Sequence, residues 1–226
     1  PVIDQFSFSL QWEARFVEEY FNIVREHSDI ITEQLFGHVH CNTFRLVSLP
    51  GTQQLRPLHV TTAITPVYQN NPGFRIWNYN TSASAYGQLL NYTLHGGSLN
   101  VTSDPAFSTI SAATAKIQSS AIVADLQVMA EGMLCDNATW QQYVDQLWQD
   151  NKDPRITDFI NDWSFRVNSY CAIFNVNETL FSDCVSLHSG SFATICWVAH
   201  LSTNYFYDKH HFWNRFRNLQ SLVVCE

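Results

Sequence analysis

A mixed α/β chain, in which strands flanked by helices are followed by a disulfide-stapled helical subdomain, is what three observations predict. An amphipathic helical stretch leads into several short apolar runs separated by turn-forming residues. Past about residue 118 the apolar spacing changes to a helical period, and four of the six cysteines lie from Cys171 onward. The chain therefore divides into a sheet-bearing segment, 1–118, and a helical segment, 119–226. With 226 residues, 46 % of them apolar and 14 % charged, it has the size and composition to bury a real core.

From Gln11 to about His27, the residues Trp12, Phe16, Tyr20, Ile23 and Val24 recur at helical spacing with charged residues between them. This predicts an amphipathic helix. Ile30 to Phe36 read as a buried strand running into a tight turn at Gly37, and the turn carries His38-Val39-His40. Apolar runs at Phe44–Leu49, Leu58–Ile64, Phe74–Tyr79 and Gln88–Leu94 come next. They are separated by Pro50-Gly51, by Asn70-Asn71-Pro72-Gly73 and by a Ser/Ala/Gly stretch, so they are expected to be antiparallel strands. Residues 102–118 are small and polar, which sets the boundary. Trp140, Tyr143, Val144, Leu147 and Trp148 then fit one helical face. Asp153-Pro154 predicts an N-cap and first-turn proline for a single further helix carrying Ile156, Phe159, Ile160, Trp163 and Val167. The tail beyond is expected to be stapled by disulfides rather than supported by a core of its own.

The formal charge of −8 disfavours duplex nucleic acid and anionic membranes as partners, although protonation of all nine histidines in an acidic compartment would bring the chain close to neutrality. The six cysteines, at 41, 135, 171, 184, 196 and 225, contain no Cys-x-x-Cys pair, so disulfides are expected over a zinc ribbon, in any of fifteen pairings. Five Asn-x-Ser/Thr sequons, at Asn80, Asn91, Asn100, Asn137 and Asn177, point to the same secretory route. A secreted, extracellular or lysosomal glycoprotein is the expectation. No apolar run approaches the roughly 20 residues of a membrane span. There is no initiator Met or leader pattern, so Pro1 reads as an internal position, left by proteolytic maturation or by fragmentation.

In an extended segment, residues two apart project to one side, so His38 and His40 are expected to present two neutral imidazoles together at a strand end, as zinc binding requires. A His-x-His alone is weak; its surroundings say more. Ile31-Thr32-Glu33-Gln34-Leu35-Phe36-Gly37-His38-Val39-His40, followed by Asn42-Thr43-Phe44, resembles the Gly-His-x-His motif of the calcineurin-like metallophosphoesterases. Pro57-Leu58, then Ile64-Thr65-Pro66-Val67-Tyr68, then Asn71-Pro72-Gly73-Phe74-Arg75-Ile76-Trp77, is similar to the stretch after that motif in the acid sphingomyelinase branch. The resemblance covers roughly residues 6 to 100. It implies that residues 1–118 are the C-terminal half of a metallophosphoesterase β-sandwich and that His38 and His40 go one to each of two zinc ions. It also implies phosphodiester hydrolysis, with sphingomyelin or a nucleotide-type phosphodiester as substrate.

The family's remaining ligand motifs, an Asp-x-His, a Gly-Asp, an Asn-His and a Gly-His-x-Pro-Pro loop, are missing from this sequence. Asp208-Lys209-His210 spells Asp-x-His but lies in the tail and reads as a solvated patch. Zinc usually needs three or four protein ligands. The two ions are therefore expected to be shared with an N-terminal half, present as a separate chain or a missing segment, and no side chain of this sequence is given a catalytic role. His59 reads as a partnered surface or core histidine and His95, beside Gly96-Gly97, as a turn histidine. His188, His200, His210 and His211 have no motif around them. Cys41 is expected to be disulfide-paired or simply buried. Thr65, Tyr68 and Asn70 occupy the loop that borders the metal cleft in the family; ordinary loop packing explains them as well as headgroup contact does. Two rivals are a secreted binding glycoprotein that has lost the chemistry and, more weakly, a single structural zinc held by His38, His40 and two tail residues.

Overall fold

The computed structural model describes residues 3–4, 6–49, 51, 55–68, 70–98, 107–109, 122–151 and 153–190. Apart from Gly190 these belong to one compact unit, Pro1–Ser189; of a second unit, Gly190–Glu226, nothing beyond residue 190 is described.

Helix α1, Ala14–Glu26, forms where the sequence predicts it, but its buried stripe is turned from the expected one. Val17, Phe21 and Val24, spaced i, i+4, i+7, enter the core, whereas Phe16 and Ile23 stay exposed. The stripe meets Val47, Leu49 and Leu58, with Trp12, Tyr20 and Phe36 at its margin. Each such side chain contributes roughly 1.5–3 kcal/mol when fully buried.

Under α1 lies a three-stranded sheet in the order β1-β3-β2, made of β1 (Gln34–Phe36), β2 (Thr43–Ser48) and β3 (Leu55–Val60). β1 is shorter than the expected 30–36 run. It pairs in parallel with β3, from Gln34 opposite Leu58 to Phe36 opposite Val60, while β2 and β3 are antiparallel. The antiparallel arrangement expected of the runs after the turn therefore holds for β2–β3, while β1, for which the sequence predicts no direction, adds a parallel strand. β2 is buried on both faces: Val47 joins the α1 cluster, and Phe44 meets Tyr143 at 6.4 Å between rings.

A second sheet, wholly antiparallel, runs β4 (Gly73–Tyr79), β5 (Leu89–Gly97) and β6 (Phe107–Thr109). β6 falls inside the small polar stretch for which the sequence predicts no element. It pairs with the end of β5 from His95 opposite Thr109 to Gly97 opposite Phe107. His95 is thus a strand residue stacked on Phe74, with ring centres 5.0 Å apart, rather than a turn histidine. The glycines beside it sit in the ladder.

Five helices complete the described chain: α2 (Ile122–Met133), α3 (Asn137–Leu147), α4 (Pro154–Asn161), α5 (Trp163–Phe174) and α6 (Glu178–His188). α3 buries Trp140, Tyr143, Val144 and Leu147, the face its periodicity predicts. Asp153 caps α4 and Pro154 opens it, as expected. The single helix expected from there divides in two, because Asp162 adopts an extended backbone and accepts from the N–H groups of Ser164 and Phe165, capping α5. Trp140, Trp148, Phe159 and Phe165 form one aromatic cluster, with neighbouring ring centres 5.0–6.0 Å apart. A Cys171–Cys184 disulfide ties α5 to α6, and Cys135 is disulfide-bonded as well. No helix among the described residues is long and apolar enough to cross a membrane.

Candidate metal site

Because β1 and β3 run parallel and end in register, the segments leaving them emerge at the same sheet edge. Carboxyl edges of parallel strands are where open α/β sheets tend to bind ligands. The turn after β1 carries His38 and His40, and the segment after β3 carries Thr65, Tyr68 and Asn70. The two meet: the Tyr68 ring lies 6.0 Å from that of His40, and the Asn70 side-chain amide donates to the His40 carbonyl at 2.7 Å. Both segments are also tied at their base, where Thr61 donates its backbone N–H to Phe36 O at 2.8 Å and its hydroxyl at 3.1 Å.

The turn itself is not the extended segment expected from sequence. His38 has φ +83° and His40 φ +59°, so both lie in left-handed space, on either side of a buried Val39. Gly37, expected to take the sharp turn, does not occupy that region, and an added Cβ there would meet nothing within 4 Å. Non-glycine residues pay roughly 1–2 kcal/mol for left-handed geometry, and such strain gathers at functional sites. The two histidines bear it in place of the glycine.

His38 is exposed and His40 half-buried. His40 Nδ1 is shielded from water and makes no hydrogen bond with any described group. A dry imidazole nitrogen without a partner suits a metal ligand, and neutral imidazole suits zinc. Among the described residues, however, no three His, Cys, Asp or Glu side chains gather as one ion requires. The fit is that of a partial donor set. Cys41 adds nothing to it: it is buried with a free thiol, and burial pushes that thiol up to about 12. Simple burial was one of its two expected fates, and Asn70 is its polar neighbour at 4.0 Å.

His59 is a core histidine, wholly enclosed, edge-on to Trp77 at 4.9 Å and 3.6 Å from Glu33. Burial holds its pKa below the ordinary histidine value, outweighing the nearby Glu33. His188 is buried beside Tyr170. His200, His210, His211 and Asp208 lie outside the described residues. Of the sequon asparagines, Asn137 and Asn177 are exposed at helix starts, Asn80 and Asn91 are half-buried, and Asn100 lies outside the described residues.

Arg75 is a residue that periodicity and motif do not single out. It projects to the inner side of β4, where its Nε donates to Asn42 Oδ1 at 2.6 Å and its Nη2 to Thr43 O and Val60 O at 3.2 and 3.0 Å. Its guanidinium lies over Tyr92 at 4.3 Å. One cation thus fastens the exit of the histidine turn and the end of β3 to the second sheet. The available signal was a basic residue at an inward strand position, between the outward-facing Phe74 and Ile76.

No family model matches the chain. Its relatives are phosphodiesterases, and they are of the acid sphingomyelinase-like kind. Acid sphingomyelinase-like phosphodiesterase 3b of Mus musculus is 24% identical over 179 residues, covering 75% of this chain and 38% of the relative. Cyclic GMP-AMP phosphodiesterase SMPDL3A of Mus musculus is 24% identical over 182 residues, covering 76% and 39%. Sphingomyelinase phosphodiesterase D of Dictyostelium discoideum is 28% identical over 96 residues, covering 41% and 22%. The chain is therefore related by sequence to the acid sphingomyelinase-like phosphodiesterases, as its motif suggested. It spans about a fifth to two fifths of the length of these curated relatives.

Proposed function

We propose that this chain is part of a zinc-dependent phosphodiesterase of the acid sphingomyelinase-like type, in which His38 and His40 are metal ligands. The two sheets would then be the C-terminal half of a metallophosphoesterase β-sandwich. The remaining ligands would come from an N-terminal half, as a separate chain or a further segment. The observation that carries this reading is His40 Nδ1, kept dry and without a partner among the described residues, at the carboxyl edge of the parallel strand pair. When bound, two zinc ions would activate water and neutralise the charge on a phosphodiester's oxygens. This chain's own residues would hold and orient: His38 reaches from the exposed side of the turn, His40 from its half-buried side, and Tyr68 borders the latter.

The substrate is a phosphodiester, either a membrane lipid such as sphingomyelin or a nucleotide. Relatives carry both kinds of name. Tyr68 lies exposed beside His40, and its segment also carries the exposed apolar residues Ile64 and Val67, which favours the lipid. A secreted or lysosomal location, with glycans on Asn80, Asn91, Asn100, Asn137 and Asn177, completes the proposal. The disulfide and the exposure of Asn137 and Asn177 support it.

The test uses the complete protein, assayed for zinc content and for hydrolysis of sphingomyelin and a nucleotide phosphodiester side by side. About two zinc ions per molecule are expected. His38→Ala and His40→Ala should each lower turnover at least about 100-fold, with thermal unfolding of the metal-free protein little changed. Full activity in either variant would overturn the site assignment, and a zinc-free wild-type protein would favour the binding-glycoprotein alternative.

A further inference from the structure

The left-handed backbone at His40, φ +59°, is uncommon even for histidine, which tolerates it better than most residues, so its surroundings must help to hold it. Three different elements hold the turn. The Asn42 N–H donates to Leu147 O at the end of α3, 3.3 Å away. Arg75 of β4 binds the Asn42 side chain at 2.6 Å. Asn70 acts on the His40 backbone itself, donating from Nδ2 to the His40 carbonyl at 2.7 Å. The same nitrogen donates to Val67 O at 3.0 Å, so one amide joins the turn to the segment that carries Tyr68.

We propose that Asn70 is a positioning residue for the candidate metal site: its amide clamps the His40 carbonyl and so sets the direction from which the His40 imidazole meets a metal ion. This inference rests on the reading of His40 as a ligand. Asn70 is 1% exposed, so losing its amide takes a buried donor away from the His40 carbonyl. Rotation about the His40 backbone would swing the ring, and a ligand displaced by a fraction of an ångström binds a metal less well. Asn70 touches neither substrate nor metal in this scheme. Its effect passes through His40.

Asn70→Asp preserves the shape and replaces the donor with an acceptor. In the complete protein, stripped of metal, zinc affinity is read by competition with a chromophoric chelator and ligand geometry by the absorption spectrum of the cobalt(II) form. The variant should bind zinc about 10- to 100-fold more weakly, with an altered cobalt spectrum. Asn78→Ser, on the exposed face of β4, should leave both unchanged. If Asn70→Asp lowers only the melting temperature of the metal-free protein, while affinity and spectrum stay as in wild type, Asn70 is merely structural and the inference is wrong. Should that variant not fold, Asn70→Ser, whose shorter side chain falls short of the His40 carbonyl, is read by the same criteria. A wild-type protein that takes up no zinc overturns the ligand reading and this inference together, whereas a tight-binding wild type with an equally tight variant overturns this inference alone.

Discussion

Within the core, His59 is enclosed by Trp77, Tyr92 and the Glu33 carboxylate, with neither ring nitrogen in hydrogen-bond range of a described partner. Desolvation makes the neutral imidazole the native form. Above about pH 6.5 the residue is neutral in folded and unfolded chains alike, so its contribution to stability is fully present. As pH falls below that value the unfolded chain takes a proton that the fold refuses, and stability declines by up to about 1.4 kcal/mol per pH unit until the lower native pKa is reached. His59→Phe keeps an aromatic ring against Trp77 and cannot titrate. Melting curves between pH 7 and pH 5 should fall less steeply for this variant than for wild type. Parallel curves would show that His59 does not carry the effect. In a lysosome, one of the locations proposed, the difference would matter.

Helix ends and helix faces follow different rules, and the contrast is visible within single elements. At Asp162 the side chain accepts from two backbone N–H groups of α5, at 2.8 and 3.2 Å, and the extended backbone there ends α4. Asp162→Ala should cost about 1 kcal/mol by urea denaturation, the ordinary value of an N-cap. A loss below about 0.3 kcal/mol would mean that the α4–α5 break is held by packing alone. The continuous apolar spacing from Ile156 to Val167 hides this break, because helical periodicity does not register one residue leaving the helix. In α1 the ambiguity is rotational: Trp12, Phe16 and Tyr20 make one plausible stripe and Val17, Phe21 and Val24 another. Only the position of the β1-β3-β2 sheet selects the second.

Gly73 is the point where the larger pieces of the molecule converge. A Cβ on it would come within 2.9 Å of Gln149 beyond α3, 2.9 Å of Thr62 beyond β3 and 3.0 Å of the His95 carbonyl in β5. Two of these contacts are side chains, but the third is ladder backbone that cannot retreat. Gly73→Ala should therefore destabilise the protein by about 1–3 kcal/mol, measured by chemical denaturation. A neutral result would show that these elements have room to separate. The neighbouring bonds say otherwise: Asn71 donates its N–H to Trp148 O and its side-chain amide to Gln149 O, so the end of α3 is sealed by the loop that leads into β4. The helical segment is thereby fastened to the same loop that braces His40.

Local chemistry is what the sequence determined by itself. The existence of α1, α3 and α4, five of the six described strands, the Asp153-Pro154 helix start and the Gly-His-Val-His motif with its relatives all rest on periodicity, capping or short-range pattern. The parallel pairing of β1 with β3, the left-handed backbone at His38 and His40, the clamp from Asn70 and the inward Arg75 were decided only in three dimensions. Each joins residues about 15 to 33 positions apart or imposes a backbone state that the residue does not prefer. Such features are set by tertiary contacts strong enough to offset local preference, and no window of neighbouring residues contains them.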